Sequence, residues 1–234
     1  MRIVYYLLLA VFSQSVYAET VWSDYSVSYL QGGHYEVGDE NRKVVTFEYA
    51  SGTSWGDNFM FIDNLQSDNG DAEIYGEFSP RFKLMELDFD VVTKLYIATT
   101  MEMGVFSGAS GYTSNLTNYL IGLGMDVKIP YFNFFKVNVY HRNNEHGDNN
   151  YQTTLVWALP LGPLYYDGFI DYATSNDNKA TSINFTSQLK YDLAPLLNLS
   201  SKLYLGMEYV YWQNKFGIDG VDEKNANLLV KYHF

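Results

Sequence analysis

The closing stretch, Asn225-Ala226-Asn227-Leu228-Leu229-Val230-Lys231-Tyr232-His233-Phe234, decides the fold. Leu228, Val230, Tyr232 and Phe234 fall on one parity, and Asn227, Lys231 and His233 on the other. Successive side chains of a strand point to opposite faces, so this segment reads as a strand with one oily and one polar face. The same period recurs upstream. Leu203, Leu205, Met207, Tyr209 and Tyr211 oppose Lys202, Tyr204, Gly206, Glu208 and Trp212. Ile183, Phe185, Leu189 and Tyr191 oppose Asn184, Thr186, Gln188 and Lys190, and Leu155 and Trp157 oppose Gln152 and Thr154. Helical stripes are nearly absent.

Twelve such segments are expected: Asp24–Leu30, Lys43–Ala50, Trp55–Asp63, Asp71–Ser79, Val91–Met103, Tyr119–Lys128, Phe132–Arg142, Tyr151–Leu159, Leu164–Ala173, Thr181–Tyr191, Lys202–Gln213 and Asn225–Phe234. Several approach the roughly 9–11 residues of a tilted transmembrane strand. Their number is even, as in single-chain bacterial outer-membrane barrels. Odd-numbered connections such as Gln31–Arg42, Gly104–Thr117, Asn143–Asn150 and Asn214–Lys224 are rich in Gly, Asn and Asp. Even-numbered ones hold Pro80, Pro130, Pro160, Pro163 and Pro195, and proline cannot donate to a strand ladder. The two ends of the sheet therefore differ, with polar loops outside and proline turns in the periplasm. Pro80–Asp90 is long for such a turn. The competing reading is a soluble β-sandwich, whose oily faces would share a core; the many rings on the polar face and the terminal Phe234 go against it.

Composition agrees with a lipid-facing surface. Of 234 residues, 18% are aromatic and only 18% are charged, against roughly 25% charged in soluble domains. Fifteen Lys and Arg against 27 Asp and Glu leave a net charge of −12, which disfavours nucleic acid, where neutralising phosphate dominates affinity. There is no cysteine. Arg2, the apolar run Ile3–Phe12 and Val16-Tyr17-Ala18 read as a signal peptide cut before Glu19. That run is far below the roughly 18 apolar residues of a membrane helix. The expected organisation is a signal peptide, 1–18, and a single barrel domain, 19–234, in the outer membrane.

If the oily face meets lipid, the other lines a lumen. A lipid-facing Lys or Arg costs roughly 2–4 kcal/mol at the bilayer midplane, so the charges mark the inward parity. They assign inward Glu48, Glu73, Glu77, Arg81, Lys94, Glu102, Asp126, Lys128, Lys136, Arg142, Asp167, Asp171, Lys190, Glu208 and Lys231. Tyr75, Tyr96, Tyr140, Tyr165, Phe169, Tyr204 and Trp212 share that parity. Such a lumen is narrow and suits a flat solute. The third segment, Trp55-Gly56-Asp57-Asn58-Phe59-Met60-Phe61-Ile62-Asp63, brackets Phe59 and Phe61 between Asp57 and Asp63 on one face. Stacking on a base is worth roughly 1–3 kcal/mol, and carboxylates accept hydrogen bonds from ribose hydroxyls without attracting phosphate. That face suits a nucleoside. The alternative is that both rings face lipid and the aspartates lie at the rims.

These residues carry a family resemblance. Trp55-Gly56-Asp57-x-Phe59-x-Phe61-x-Asp63, then Glu77-Phe78-Ser79-Pro80-Arg81-Phe82, Gly122-Leu123-Gly124-Met125-Asp126 and the closing Tyr232-His233-Phe234 resemble the Tsx-like nucleoside-specific channel-forming outer-membrane proteins. The resemblance covers essentially the whole chain after residue 18. It implies a twelve-stranded barrel, a narrow passage for nucleosides and deoxynucleosides, and external loops used by phage. The solute site expected on this basis comprises Asp57, Phe59, Phe61, Asp63, Tyr75, Glu77, Arg81, Tyr96 and Asp126.

No catalytic constellation stands out. His34, His141, His146 and His233 are scattered, and only His146 has acids nearby, Glu145 and Asp148. No serine has a base and an orienting acid beside it in sequence. The acidic loops Asp68-Asn69-Gly70-Asp71 and Asp219-Gly220-Val221-Asp222-Glu223 read as solvated turns rather than cation sites shared with lipopolysaccharide. The expectation is a passive monomeric nucleoside channel with no cofactor, no metal and no catalytic step. Its partners are nucleosides, outer-membrane lipid and lipopolysaccharide, periplasmic chaperones and the barrel assembly machinery, and phage. The alternatives are a structural or phage-receptor barrel with a plugged lumen, and a lipid-modifying outer-membrane enzyme.

Overall fold

The computed structural model describes residues 19–234; the expected signal peptide, 1–18, lies outside the described residues. Twelve antiparallel strands close on themselves. They are β1 (Thr20–Gly32), β2 (Arg42–Thr53), β3 (Gly56–Ser67), β4 (Ala72–Glu86), β5 (Val92–Ser107) and β6 (Thr113–Val127), followed by β7 (Phe134–Asn143), β8 (Asn150–Leu161), β9 (Leu164–Ala173), β10 (Ser182–Asp192), β11 (Leu203–Gln213) and β12 (Glu223–His233). Each strand pairs with its neighbours in sequence, and β1 closes the barrel on β12 through Ser26 to Gln31 against His233 to Leu228. No helix of the described residues is long and apolar enough to cross a membrane.

The parity expected from sequence is the parity observed. Along β12 the inner residues Glu223, Asn225, Asn227, Leu229 and Lys231 are buried, while Lys224, Ala226, Leu228, Val230 and Tyr232 are exposed on the outside. An oily exposed face around a polar buried one inverts a soluble domain and is how a membrane barrel presents itself to lipid. Phe234 follows the last strand residue, yet its backbone N–H donates to the Tyr25 carbonyl at 3.0 Å. Its ring meets Tyr232 edge-on at 5.4 Å.

Two expectations are corrected. The Pro80–Asp90 stretch is not a long turn, because β4 continues through Pro80 to Glu86 and the connection is only residues 87–91. Pro80 still pairs with Asn58 of β3, whereas the β4–β5 ladder skips Ser79 and Pro80, and the Thr99 hydroxyl bonds the Pro80 carbonyl at 3.0 Å. The missing N–H thus falls at a gap in the β4–β5 ladder, where the Thr99 hydroxyl satisfies the Pro80 carbonyl. Pro160 likewise lies inside β8, near its end. A single helical turn, α1 (Ala194–Leu197), interrupts the β10–β11 connection, with Pro195 in its first turn, where no intrahelical N–H is needed.

Candidate functional site

On β3 the inward residues are Asp57, Phe59, Phe61 and Asp63. Phe61 stands opposite Glu48 of β2 and Glu77 of β4, and Asp63 opposite Thr46 and Tyr75. The reading that sends both rings to lipid is therefore set aside, because their ladder partners Glu48 and Glu77 share the polar parity. The Phe59 and Phe61 centroids are 6.0 Å apart, and those of Phe61 and Tyr75 are 5.8 Å apart. Three rings thus form one continuous surface across β3 and β4. Phe59 remains 39% exposed although it faces inward, so open lumen runs along it.

Carboxylates border this surface. Asp63 accepts the Thr46 hydroxyl at 2.6 Å, and Glu77 accepts the Tyr75 hydroxyl at 2.7 Å. Neither makes an ion pair among the described residues, so each keeps an oxygen for other donors. Glu102, opposite Glu77 in the β4–β5 ladder, is instead consumed by Asn118 at 2.6 Å and by Arg142.

The other expected residues form a separate cluster nearer the terminal end. Arg81 forks onto Asp57, with Nε to Oδ1 at 2.9 Å and Nη2 to Oδ2, and Nη2 also reaches Asp126 at 2.8 Å. Its guanidinium lies 4.1 Å over the Tyr96 ring, and the Tyr96 hydroxyl donates to Asp126 at 2.7 Å. Lys136 of β7 completes the cluster, 3.3 Å from Asp57. The expected nine residues therefore divide in two: Phe59, Phe61, Asp63, Tyr75 and Glu77 form the ring surface and its border, while Asp57, Arg81, Tyr96 and Asp126 bond one another. Asp57 is not a free hydrogen-bond acceptor, as its bracketing position suggested. Lys136 was missing from the expected site, although it stands directly opposite Asp126 with the opposite charge.

The facing wall is packed. Lys231 pairs with Glu48, which also accepts the Ser26 hydroxyl at 2.8 Å. Lys190, almost fully buried, bonds Asp167 at 2.7 Å and Gln188 at 2.9 Å and lies over the rings of Tyr165 and Tyr204. Below it a cavity of about 420 Å³ opens at the terminal end, lined by Tyr165, Tyr204, Asn133, Asp192 and Lys202.

The remaining candidates carry no chemistry of their own. His146 contacts the Asn115 carbonyl rather than the neighbouring acids. The closest histidine–carboxylate contact is His233 to Asp24 at 2.8 Å, which joins the first and last strands across the closing seam and could not be read from local sequence. Asp71 and Asp222 accept backbone N–H groups of Ala109 and Asn214. Among the described residues no cluster of His, Cys, Asp or Glu could hold a metal ion.

Comparison with known proteins places this geometry among bacterial outer-membrane channels. The family described as "Nucleoside-specific channel-forming protein, Tsx" matches residues 19–234. Two proteins named Outer membrane protein OmpK are similar in sequence. The one from Vibrio parahaemolyticus serotype O3:K6 is 27% identical over 168 residues, 62% of this chain and 62% of its own length. Another from Vibrio parahaemolyticus is 28% identical over 219 residues, 83% of this chain and 80% of its own. The chain thus spans less than two thirds of the first relative and four fifths of the second. Among solved structures, the KdgM porin in complex with disordered oligogalacturonate is similar at TM-score 0.50 and 10% identity, covering 91% of this chain and 99% of that one. Outer membrane phospholipase A from Escherichia coli, an active-site mutant, is similar at TM-score 0.53 and 11% identity, covering 94% and 93%. At such identities these two likenesses concern the fold alone.

Proposed function

The chain belongs to the Tsx family of nucleoside-specific channel-forming proteins, and from that premise we propose that this outer-membrane barrel passes nucleosides and deoxynucleosides passively. The observation that carries the reading is the three-ring surface of Phe59, Phe61 and Tyr75, open to the lumen and bordered by Asp63 and Glu77. A base stacking there gains roughly 1–3 kcal/mol per ring contact, and the free carboxylate oxygens accept ribose hydroxyls. A channel must release what it binds, and a millimolar site needs only about 4 kcal/mol; one or two rings and a few hydroxyl contacts reach that. The unpaired carboxylates Asp63 and Glu77 beside the rings oppose phosphate, so nucleosides are favoured over nucleotides.

In this reading the barrel is a monomer with the connections 33–41, 68–71, 108–112, 144–149, 174–181 and 214–222 outside and the termini in the periplasm, the arrangement of single-chain barrels. Lipopolysaccharide and phage meet the outer loops, and chaperones and the assembly machinery meet the closing strand. Purified protein in a planar bilayer tests the function. Ionic current should be interrupted by millimolar adenosine and not by the same concentration of adenosine monophosphate. A silent bilayer would favour the plugged structural barrel, and release of fatty acid from the lipid would favour the enzyme.

A further inference from the structure

Beyond the solute surface, the β1–β2 loop, residues 33–41, does not stand away from the barrel. It curls back over the loop end of the lumen and inserts Tyr35. The Tyr35 hydroxyl donates to Asn227 Oδ1 at 3.1 Å, and Asn227 lies on the inner face of β12, one inward step below Asn225 and two below Glu223. The next residue adds a second tether, the Glu36 backbone N–H to Glu223 at 3.0 Å.

The sequence of the loop is built for this return. A Cβ at Gly32 would stand 1.9 Å from Asn227 Oδ1, so a larger residue there would displace the amide that Tyr35 bonds. Gly38, at φ 80°, supplies the left-handed turn. Arg42 staples the loop from beneath, with Nε to the Asp39 carbonyl at 3.0 Å and Nη2 to the Val37 carbonyl, while Asp39 reaches across to the Asn69 backbone N–H of the neighbouring loop at 2.6 Å. Two cations lie against the ring. Arg42 lies 4.9 Å and Lys215 5.6 Å from its centroid, where the ring face attracts a cation. Lys215 is buried and paired with Glu223. Burial, with Glu208 and Glu223 nearby, pushes the Tyr35 phenol above its ordinary range, so it stays a neutral donor.

We infer that Tyr35 is the size-selecting constriction at the loop end of the lumen, reached from the β1–β2 loop and held against the inner face of β12. This does not rest on the nucleoside reading, and its test needs no nucleoside. The chain has no cysteine, so Tyr35→Cys gives a unique thiol.

In planar bilayers, Tyr35→Ala should conduct more than the wild type and should admit polyethylene glycols of a size the wild type excludes, while Tyr35→Trp should conduct less. A charged methanethiosulfonate reagent should step the current of Tyr35→Cys downward and leave the cysteine-free wild type unchanged. Heat-modifiability on gels confirms assembly of each variant. Wild-type conductance and exclusion size in Tyr35→Ala, or a modified Tyr35→Cys whose current does not change, would overturn the inference.

Discussion

Arg81 and Asp57 face each other directly in the β3–β4 ladder and meet through two parallel hydrogen bonds, with the Arg81 side chain 4% and that of Asp57 15% exposed. A forked guanidinium–carboxylate contact fixes orientation as well as attraction, and here the second carboxylate, Asp126, and the Tyr96 face complete the enclosure of the cation. The pair welds two strands near the terminal end of the barrel.

Removing one partner leaves the others buried and uncompensated, which costs about 3–5 kcal/mol. Arg81→Ala should therefore lower the urea midpoint of the detergent-solubilised barrel strongly, and Arg81→Lys should recover only part, because an ammonium cannot fork. Asp57→Asn should likewise act on stability more than on solute affinity. A wild-type midpoint for Arg81→Ala would mean that the cluster contributes nothing.

Asp71 clasps two outer loops, accepting the Ala109 N–H at 2.9 Å and the Asn69 amide at 2.9 Å. Those bonds hold its carboxyl below the ordinary 3.8. A depressed carboxylate contributes above its unfolded value and loses that contribution as pH falls through its folded one. The clasp should thus be constant from neutral pH down to about the ordinary carboxylate range and open only beneath it. Hydrogen exchange at the Ala109 amide reads this directly: Asp71→Asn should abolish the pH dependence of its protection factor, and protection lost already near pH 6 would contradict the assignment.

Period-2 alternation and the cost of charge in lipid were enough to read the barrel, the strand count and the inward parity of residues such as Glu48, Lys136 and Lys231. What they could not supply is register. Asp57 and Arg81 are 24 positions apart, and only their shared ladder rung makes Asp57 an ion-pair partner. His233 and Asp24 meet only because the sheet closes. Pro80 misled because its missing N–H reads as a turn when no partner strand is known to tolerate it. Tyr35 left no trace at all, since a loop has no periodicity from which insertion could be inferred.

The closing strand makes its own test. Phe234 bonds Tyr25 of β1 through its N–H and packs its ring on Tyr232. Deleting it removes a rung of the β1–β12 seam together with the terminal aromatic, so the chain should accumulate unassembled in the periplasm. Phe234→Tyr should assemble normally. A heat-modifiable barrel in the outer membrane from the deletion would count against a role for the residue in insertion.

The β3 face separates solute binding from lipid contact within one strand. Phe59→Ala with Phe61→Ala should weaken nucleoside binding by roughly 1–3 kcal/mol for each ring that stacks on the base, and assembly should survive because the lost rings line water. Met60 and Ile62 have the opposite parity, and a lysine there meets hydrocarbon at a depth-dependent cost of roughly 2–4 kcal/mol at the midplane. Met60→Lys should therefore block assembly while the double Phe variant does not. Asp63→Asn, which spares the Arg81 cluster, should ease the passage of adenosine monophosphate relative to adenosine, because a neutral amide no longer repels phosphate. Uptake of both labelled solutes, with heat-modifiability of each variant, decides the matter. If Met60→Lys assembles and the double Phe variant transports adenosine at the wild-type rate, the three-ring surface is not where the nucleoside binds.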